Sequence, residues 1–248
     1  MHALTGETVA VARQTRTTRP RPTKVTGTDA SRSAIPFEPR IDDLPAVTDS
    51  ADLIDEQHWN KLRVTADLSA QRFDLIEITE CRIVGARLSR LDLDGVRIRD
   101  TVFEDCDLAG ALMQDAALTR VVFSNCRLSG LILNSSRLRD VRITDCKADQ
   151  LSLRMGSAER LWCERVLLQN VDLYQSQLVL TRLFDCDLTN GEFSNVRFDD
   201  VQLHGSRLDA VRGVEHMRGA TIDADQMHDF AAALLAAHRV TVTDQRDA

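Results

Sequence analysis

From Leu68 to Leu208 every fifth residue is apolar, and the phase never slips. The series runs Leu68, Phe73, Ile78, Ile83, Leu88, Leu93, Ile98, Phe103, Leu108, Met113, Leu118, Phe123, Leu128, Leu133, Leu138 and Ile143. It resumes at Leu153, then Leu168, Leu173, Leu178, Leu183, Leu188, Phe193, Phe198, Leu203 and Leu208. The exceptions, Ala148, Ala158 and Cys163, are small but still apolar. On an α-helix five residues advance about 500°, so such side chains would spiral over every face. On a flat strand an odd period alternates faces. A chain that bends once per repeat keeps them all inside, each repeat forming one wall of a coil.

Longer echoes give the number of walls. FEDCDLAG at Phe103–Gly110 resembles FSNCRLSG at Phe123–Gly130, and LFDCDLTN returns at Leu183–Asn190. RIRD at Arg97–Asp100 recurs as RLRD at Arg137–Asp140. Both spacings are multiples of twenty, which four walls of five residues satisfy. Small residues stand two before most centres, as at Ala86, Cys106, Val121 and Ser136, and suit a narrow interior. Gly, Asp and Asn stand two after, as at Gly110, Asp115, Asn125 and Asp140, and suit a corner.

These residues resemble the pentapeptide-repeat family: ADLSA at Ala66–Ala70, CDLAG at Cys106–Gly110, VDLYQ at Val171–Gln175 and CDLTN at Cys186–Asn190. The resemblance implies an all-β solenoid, a right-handed quadrilateral β-helix. One departure is Arg before many centres (Arg87, Arg97, Arg127, Arg137), where the family usually has Asp or Asn. About seven coils follow. Each is stable only against its neighbours, so both ends need caps.

The rest of the chain divides accordingly. Residues 1–40 carry seven basic and three acidic residues without apolar period, and read as a disordered basic arm. Residues 41–65 are acidic and read as an N-terminal plug, with Leu53, Ile54, Trp59 and Leu62 on one side of a short helix after Ser50. Residues 66–213 form the β-helix, and 214–248 a C-terminal α-helical cap and tail. Asp223 and Gln226 have capping-box spacing. Met227, Phe230, Leu234 and Leu235 then recur at helical spacing. Part of that stripe is expected to cover the last coil. The remainder is a candidate homodimer contact, since capping helices in the family can mediate dimerisation.

Chemistry is sparse. The six cysteines fall on inward positions, with Cys106, Cys126, Cys146 and Cys186 in one column. Their side chains point in parallel, so buried thiols in a reducing compartment are expected rather than disulfides, a metal site or a redox sensor. No nucleophile elbow, phosphate loop or dinucleotide fingerprint occurs. No catalytic residue, cofactor or metal is expected. The longest apolar run, Phe230 to Ala237, is far short of a membrane span, and no signal peptide is evident. The reading is a cytoplasmic protein that touches neither membrane nor nucleic acid directly.

Two binding surfaces compete. Val102, Val122 and Trp162 share one outward column, with Phe184 on the same wall and the pair Leu112 and Ile132 on the next. An outward apolar patch on a rod points to a protein partner of unknown identity. Some pentapeptide-repeat proteins instead confer fluoroquinolone resistance by presenting a DNA-like acidic rod to DNA gyrase. Sorted by wall, Asp and Glu against Lys and Arg number 5 to 5, 6 to 3, 7 to 7 and 5 to 4. The one acidic wall carries Asp74, Asp92, Asp94, Asp115, Asp172 and Glu192. A wall bearing Arg97, Arg99, Arg137, Arg139, Asp100 and Asp140 reads as a balanced salt-bridge lattice. The weak net charge ranks mimicry second to a protein-interaction scaffold.

Overall fold

A computed structural model describes residues 33–41, 46–47, 53 and 58–243. The chain winds as a right-handed quadrilateral β-helix of about eight turns, closed by one C-terminal helix. Its strands are β1 (Ala46–Val47), β2 (His58–Asn60), β3 (Arg63–Val64), β4 (Glu77–Thr79), β5 (Arg82–Val84) and β6 (Arg97–Glu104). They continue as β7 (Ala117–Ser124), β8 (Arg137–Thr144), β9 (Ser157–Glu164), β10 (Gln177–Phe184), β11 (Arg197–Gln202) and β12 (Ala220–Thr221). All pairings are parallel, in one twelve-stranded sheet that climbs the axis. Its register matches the sequence period: Ile98 pairs with Leu118, Leu118 with Leu138, and Phe103 with Phe123. Leu108 and Leu128 are both fully buried.

Each repeat turns its corner at the residue two after the centre, where φ is positive. The long strands bend there too, at Asp100, Arg120, Asp140, Arg160 and Leu180. Gly, Asn and Asp tolerate this left-handed conformation best. The lattice nevertheless imposes it on Leu75, Met155 and several arginines. For orientation, the first wall is centred on Leu88 and Leu108, the second on Leu93 and Met113, the third on Ile98 and Leu118, and the fourth on Phe103 and Phe123.

The core is a column of centres flanked by small residues. Phe103 and Phe123 stack at 4.8 Å between centroids. Where Ala148, Ala158 and Cys163 replace large centres, Leu151 and Leu161 fill small-residue positions and are buried. The exchange is incomplete. A void of about 30 Å³ remains, lined by Leu151, Leu161, Cys163, Leu173 and Leu178 among others.

Both ends depart from the period. At the N-terminus the expected helix does not include Trp59, which lies in β2 and pairs with Ile78. Trp59 is buried, meets Phe73 edge-on at 5.4 Å, and donates its indole N–H to the Leu53 carbonyl. Residues 58–64 therefore begin the solenoid, which accounts for a turn more than the repeat count suggested. The register there is one residue short, Arg63 opposite Arg82. Ile54 and most of the 42–57 segment lie outside the described residues.

At the other end the period stops at Gly213, where a centre would fall. Its φ is +73°, and an added Cβ would lie 2.2 Å from the Ser194 nitrogen, so only glycine fits. A 3-10 turn (Val214–His216) and β12 follow, then helix α1 (Met227–Ala237). The capping box forms by half. The Gln226 side chain accepts the Asp223 N–H at 2.6 Å, while the Asp223 carboxylate turns back to the Gly205 N–H and His204 Nδ1. Phe230 and Leu234 pack against the core, while Met227 is exposed and Leu235 marginally so.

The sequence reading extended a disordered arm to residue 40. Residues 1–32 lie outside the described set, but Pro36 is buried and Glu38 pairs with Arg142 at 2.9 Å. The segment around them lies along the solenoid, because its contacts are made with residues about a hundred positions away. Among the described residues no helix is long and apolar enough to cross a membrane.

Candidate functional site

The fourth wall carries the outward column Val102, Val122, Arg142, Trp162 and Arg182, in strict register across β6 to β10. Trp162 meets Phe184 edge-on, 5.1 Å between centroids, and Phe184 lies 5.9 Å from the His204 ring. The Arg142 guanidinium sits 5.8 Å from the Trp162 ring centre. The indole N–H donates to Glu164 at 3.2 Å. The result is a half-buried aromatic pair beside Arg142, His204 and Glu164, while Arg182 on the next rung is buried and held by Asp200 at 3.0 Å. Val102 and Val122 lie beside each other two rungs and one rung before Arg142, which divides them from Trp162.

Leu112 and Ile132 do not join this patch. They pair with each other on the second wall. Ten residues is half a circuit, so the second and fourth walls face opposite ways.

The acidic second wall is largely neutralised from within. Arg72 pairs with Asp74 at 2.9 Å and Asp92 at 3.6 Å, Arg154 with Asp172 at 2.7 Å, and Arg212 with Glu192 at 2.9 Å. Asp94 accepts the Gln114 N–H. Its middle rungs, Leu112, Ile132 and Ser152, are uncharged. A string of screened surface pairs projects far less potential than six bare carboxylates.

The six thiols are buried and free. Cys106 and Cys126 donate to the carbonyls of Ile83 and Phe103, as the hydroxyl of Ser136 does to Met113 in an equivalent position. Burial pushes the Cys186 thiol up to about 12 and Cys163 well above its ordinary value. Thiols of that kind are fillers rather than nucleophiles. Among the described residues no group of three His, Cys, Asp or Glu stands ready for a metal.

One feature escaped the sequence reading. The corner between the third and fourth walls carries Asp100, Arg120, Asp140 and Arg160, alternating in charge on successive rungs. Arg120 grips Asp100 through two hydrogen bonds of 2.6 Å, and Arg160 grips Asp140 likewise. Asp140 and Arg160 are only 3% and 7% exposed. Residues 36–40 lie over this ladder. The Phe37 N–H donates to Asp140 at 3.3 Å, and its ring lies 5.6 Å from the Arg160 guanidinium. A cleft of about 630 Å³ opens between Phe37, Glu38 and Arg40 on one side and Glu80, Asp100 and Arg120 on the other. The alternation of sign at twenty-residue spacing was the available signal. Nothing local linked it to residue 37.

Filled core, regular corners and outward ladders define a repeat solenoid. Residues 101–140 match the family model described as pentapeptide repeats, in eight copies, and the same geometry continues on either side. Over those forty residues the chain is similar to that family. No curated protein matches the sequence. Among solved structures it is similar to a trypsin-treated form of QnrB1, a plasmid-mediated fluoroquinolone resistance protein, at 17% identity and TM-score 0.41, over 75% of this chain and 90% of that one. It is also similar to HetL, involved in heterocyst differentiation regulation in the cyanobacterium Nostoc, at 14% identity and TM-score 0.33, over 66% and 89%. A third is Rfr23 from the cyanobacterium Cyanothece, at 11% and 0.26, over 70% and 96%.

Proposed function

We propose that the protein is a non-enzymatic, cytoplasmic scaffold whose fourth wall binds a protein partner. The carrying observation is the Trp162–Phe184 pair, set on a rigid wall beside Arg142 and Glu164. A central aromatic anchor with an arginine beside it is the composition of an interaction hot spot. A filled solenoid supports this reading over catalysis, which needs converging polar groups in a concave site.

The test is capture of a partner by purified protein, comparing wild type with Trp162→Ala and Phe184→Ala. Loss of the captured species in both variants is expected, with little dependence on salt. Retention in both would sink the proposal. DNA mimicry directed at gyrase remains the second reading and makes the opposite demand: inhibition of supercoiling that fades steeply with salt. The internal pairing of the second wall disfavours it. A homodimer through Met227 and Leu235 would show as doubled mass in light scattering, abolished by Leu235→Glu.

A further inference from the structure

Pro36, Phe37, Glu38, Pro39 and Arg40 cross the corner ladder in an order that fits its spacing. The segment is neither helix nor strand, and its prolines hold φ near −65°. Asp140 takes the N–H of Phe37, directly after the first proline. Asp100 faces Arg40, directly after the second, across the same cleft. Asp140 and Asp100 stand two rungs apart, about 9.6 Å at the usual strand separation. Three residues of polyproline II advance about 9.3 Å. The two carboxylates are therefore spaced to catch successive turns of one such peptide.

The intervening arginines complete the track. Arg120 and Arg160 hold the carboxylates in place from alternate rungs. Arg160 also offers its face to the Phe37 ring, and Arg142 pairs with Glu38. Each side chain of the ladder either receives the peptide or fixes a group that does.

We propose that this corner is a peptide-binding groove for Pro-x-x-Pro segments, that residues 36–40 are its resident intramolecular ligand, and that a proline-containing segment of a partner protein takes their place. This goes beyond the fourth-wall reading and does not depend on Trp162. Beyond Pro36, which is buried, the resident segment buries little: Phe37 is 65% exposed, and the Glu38 side chain is 62% exposed. A cis ligand so lightly held is displaceable. It nevertheless competes at the high effective concentration that tethering confers.

The experiment uses the full chain and a fluorescein-labelled peptide copying residues 33–41, read by fluorescence anisotropy. Wild type should bind it weakly. The double variant Phe37→Ala, Glu38→Ala should bind at least about tenfold tighter, because the cis competitor is weakened. Replacing both prolines of the peptide by Ala should remove most of that gain. Adding Arg142→Glu to the double variant should abolish binding of the native peptide and restore it for a peptide carrying Glu38→Arg. Phe184→Ala, which removes half of the fourth-wall aromatic pair without touching Arg142, should leave all of this unchanged and so separates the groove from the fourth-wall site. Equal binding by wild type and double variant, or failure of binding to follow the charge swap, overturns the proposal. A dimer of wild-type chains that the double variant dissolves would make a second copy the occupant and overturn the partner source.

Discussion

A residue at a corner of this solenoid must accept positive φ whatever its identity. Asp100, Asn125 and Asp145 do so readily, while Met155 stands at φ 56° with its side chain exposed. A long side chain gains nothing there. Met155→Asn should raise stability by about 0.5 kcal/mol, seen as a higher urea midpoint at constant slope. Cys163 poses the reverse problem, a small centre beside a void. Cys163→Val places a methyl group in that space and should stabilise by about 0.5–1 kcal/mol. An equal loss would mean that the void cannot accept the group. The Asp140–Arg160 pair is buried, so Asp140→Ala should cost about 3 kcal/mol by leaving a buried guanidinium with Glu159 as its one carboxylate partner among the described residues. Asp140→Asn should cost less, because it still accepts hydrogen bonds.

The elements hold one another by stacking, and the last rung depends on its cap. Gln226 is buried and donates to the carbonyls of Leu203 and Ser206 while accepting from Asp223. One side chain thus closes the exposed end of β11 and its following turn. Gln226→Ala should cost about 2 kcal/mol and raise amide exchange in Val201–Leu203 before any change appears near β7. Uniform exchange along the solenoid would show that the cap is not a separate unit. Helix α1 follows with two half-buried side chains, Phe230 and Leu234, so it seals the end with little area of its own.

For the whole molecule, acid is the revealing condition. The Arg120 guanidinium holds the Asp100 carboxyl below its ordinary value, and Arg165 does the same for Asp145. The Gly205 N–H, then His204, lowers Asp223. A carboxylate depressed in the folded state contributes stability that is fully present above its unfolded value. That contribution is lost as pH falls through the lowered folded value. Thermal midpoints should therefore be flat down to about pH 5 and drop below about pH 4. Arg120→Met should shrink the acid loss that Asp100 carries. The same molecule should leave all six thiols unlabelled by a water-soluble disulfide reagent until denaturant is added.

Leu108, Leu128 and their kin made the winding legible, because burial on the inner side once per bend leaves a period that local order preserves. The corners were readable from Gly, Asp and Asn for a related reason, since backbone conformation is a local property. The pairing of Leu112 with Ile132 was readable too, but its separation from Trp162 required a circuit to be closed in space. Trp59 was misplaced because a terminal rung lacks the neighbours that enforce the repeat. By itself, then, the sequence determined a four-walled coil, its filled interior and its buried thiols. Only the tertiary structure decided which carboxylates are already neutralised, which aromatics meet, and that residues 36–40 lie across Asp100 and Asp140. Contacts between groups a hundred residues apart carry no period, and their energy exists only once the rungs have brought them together.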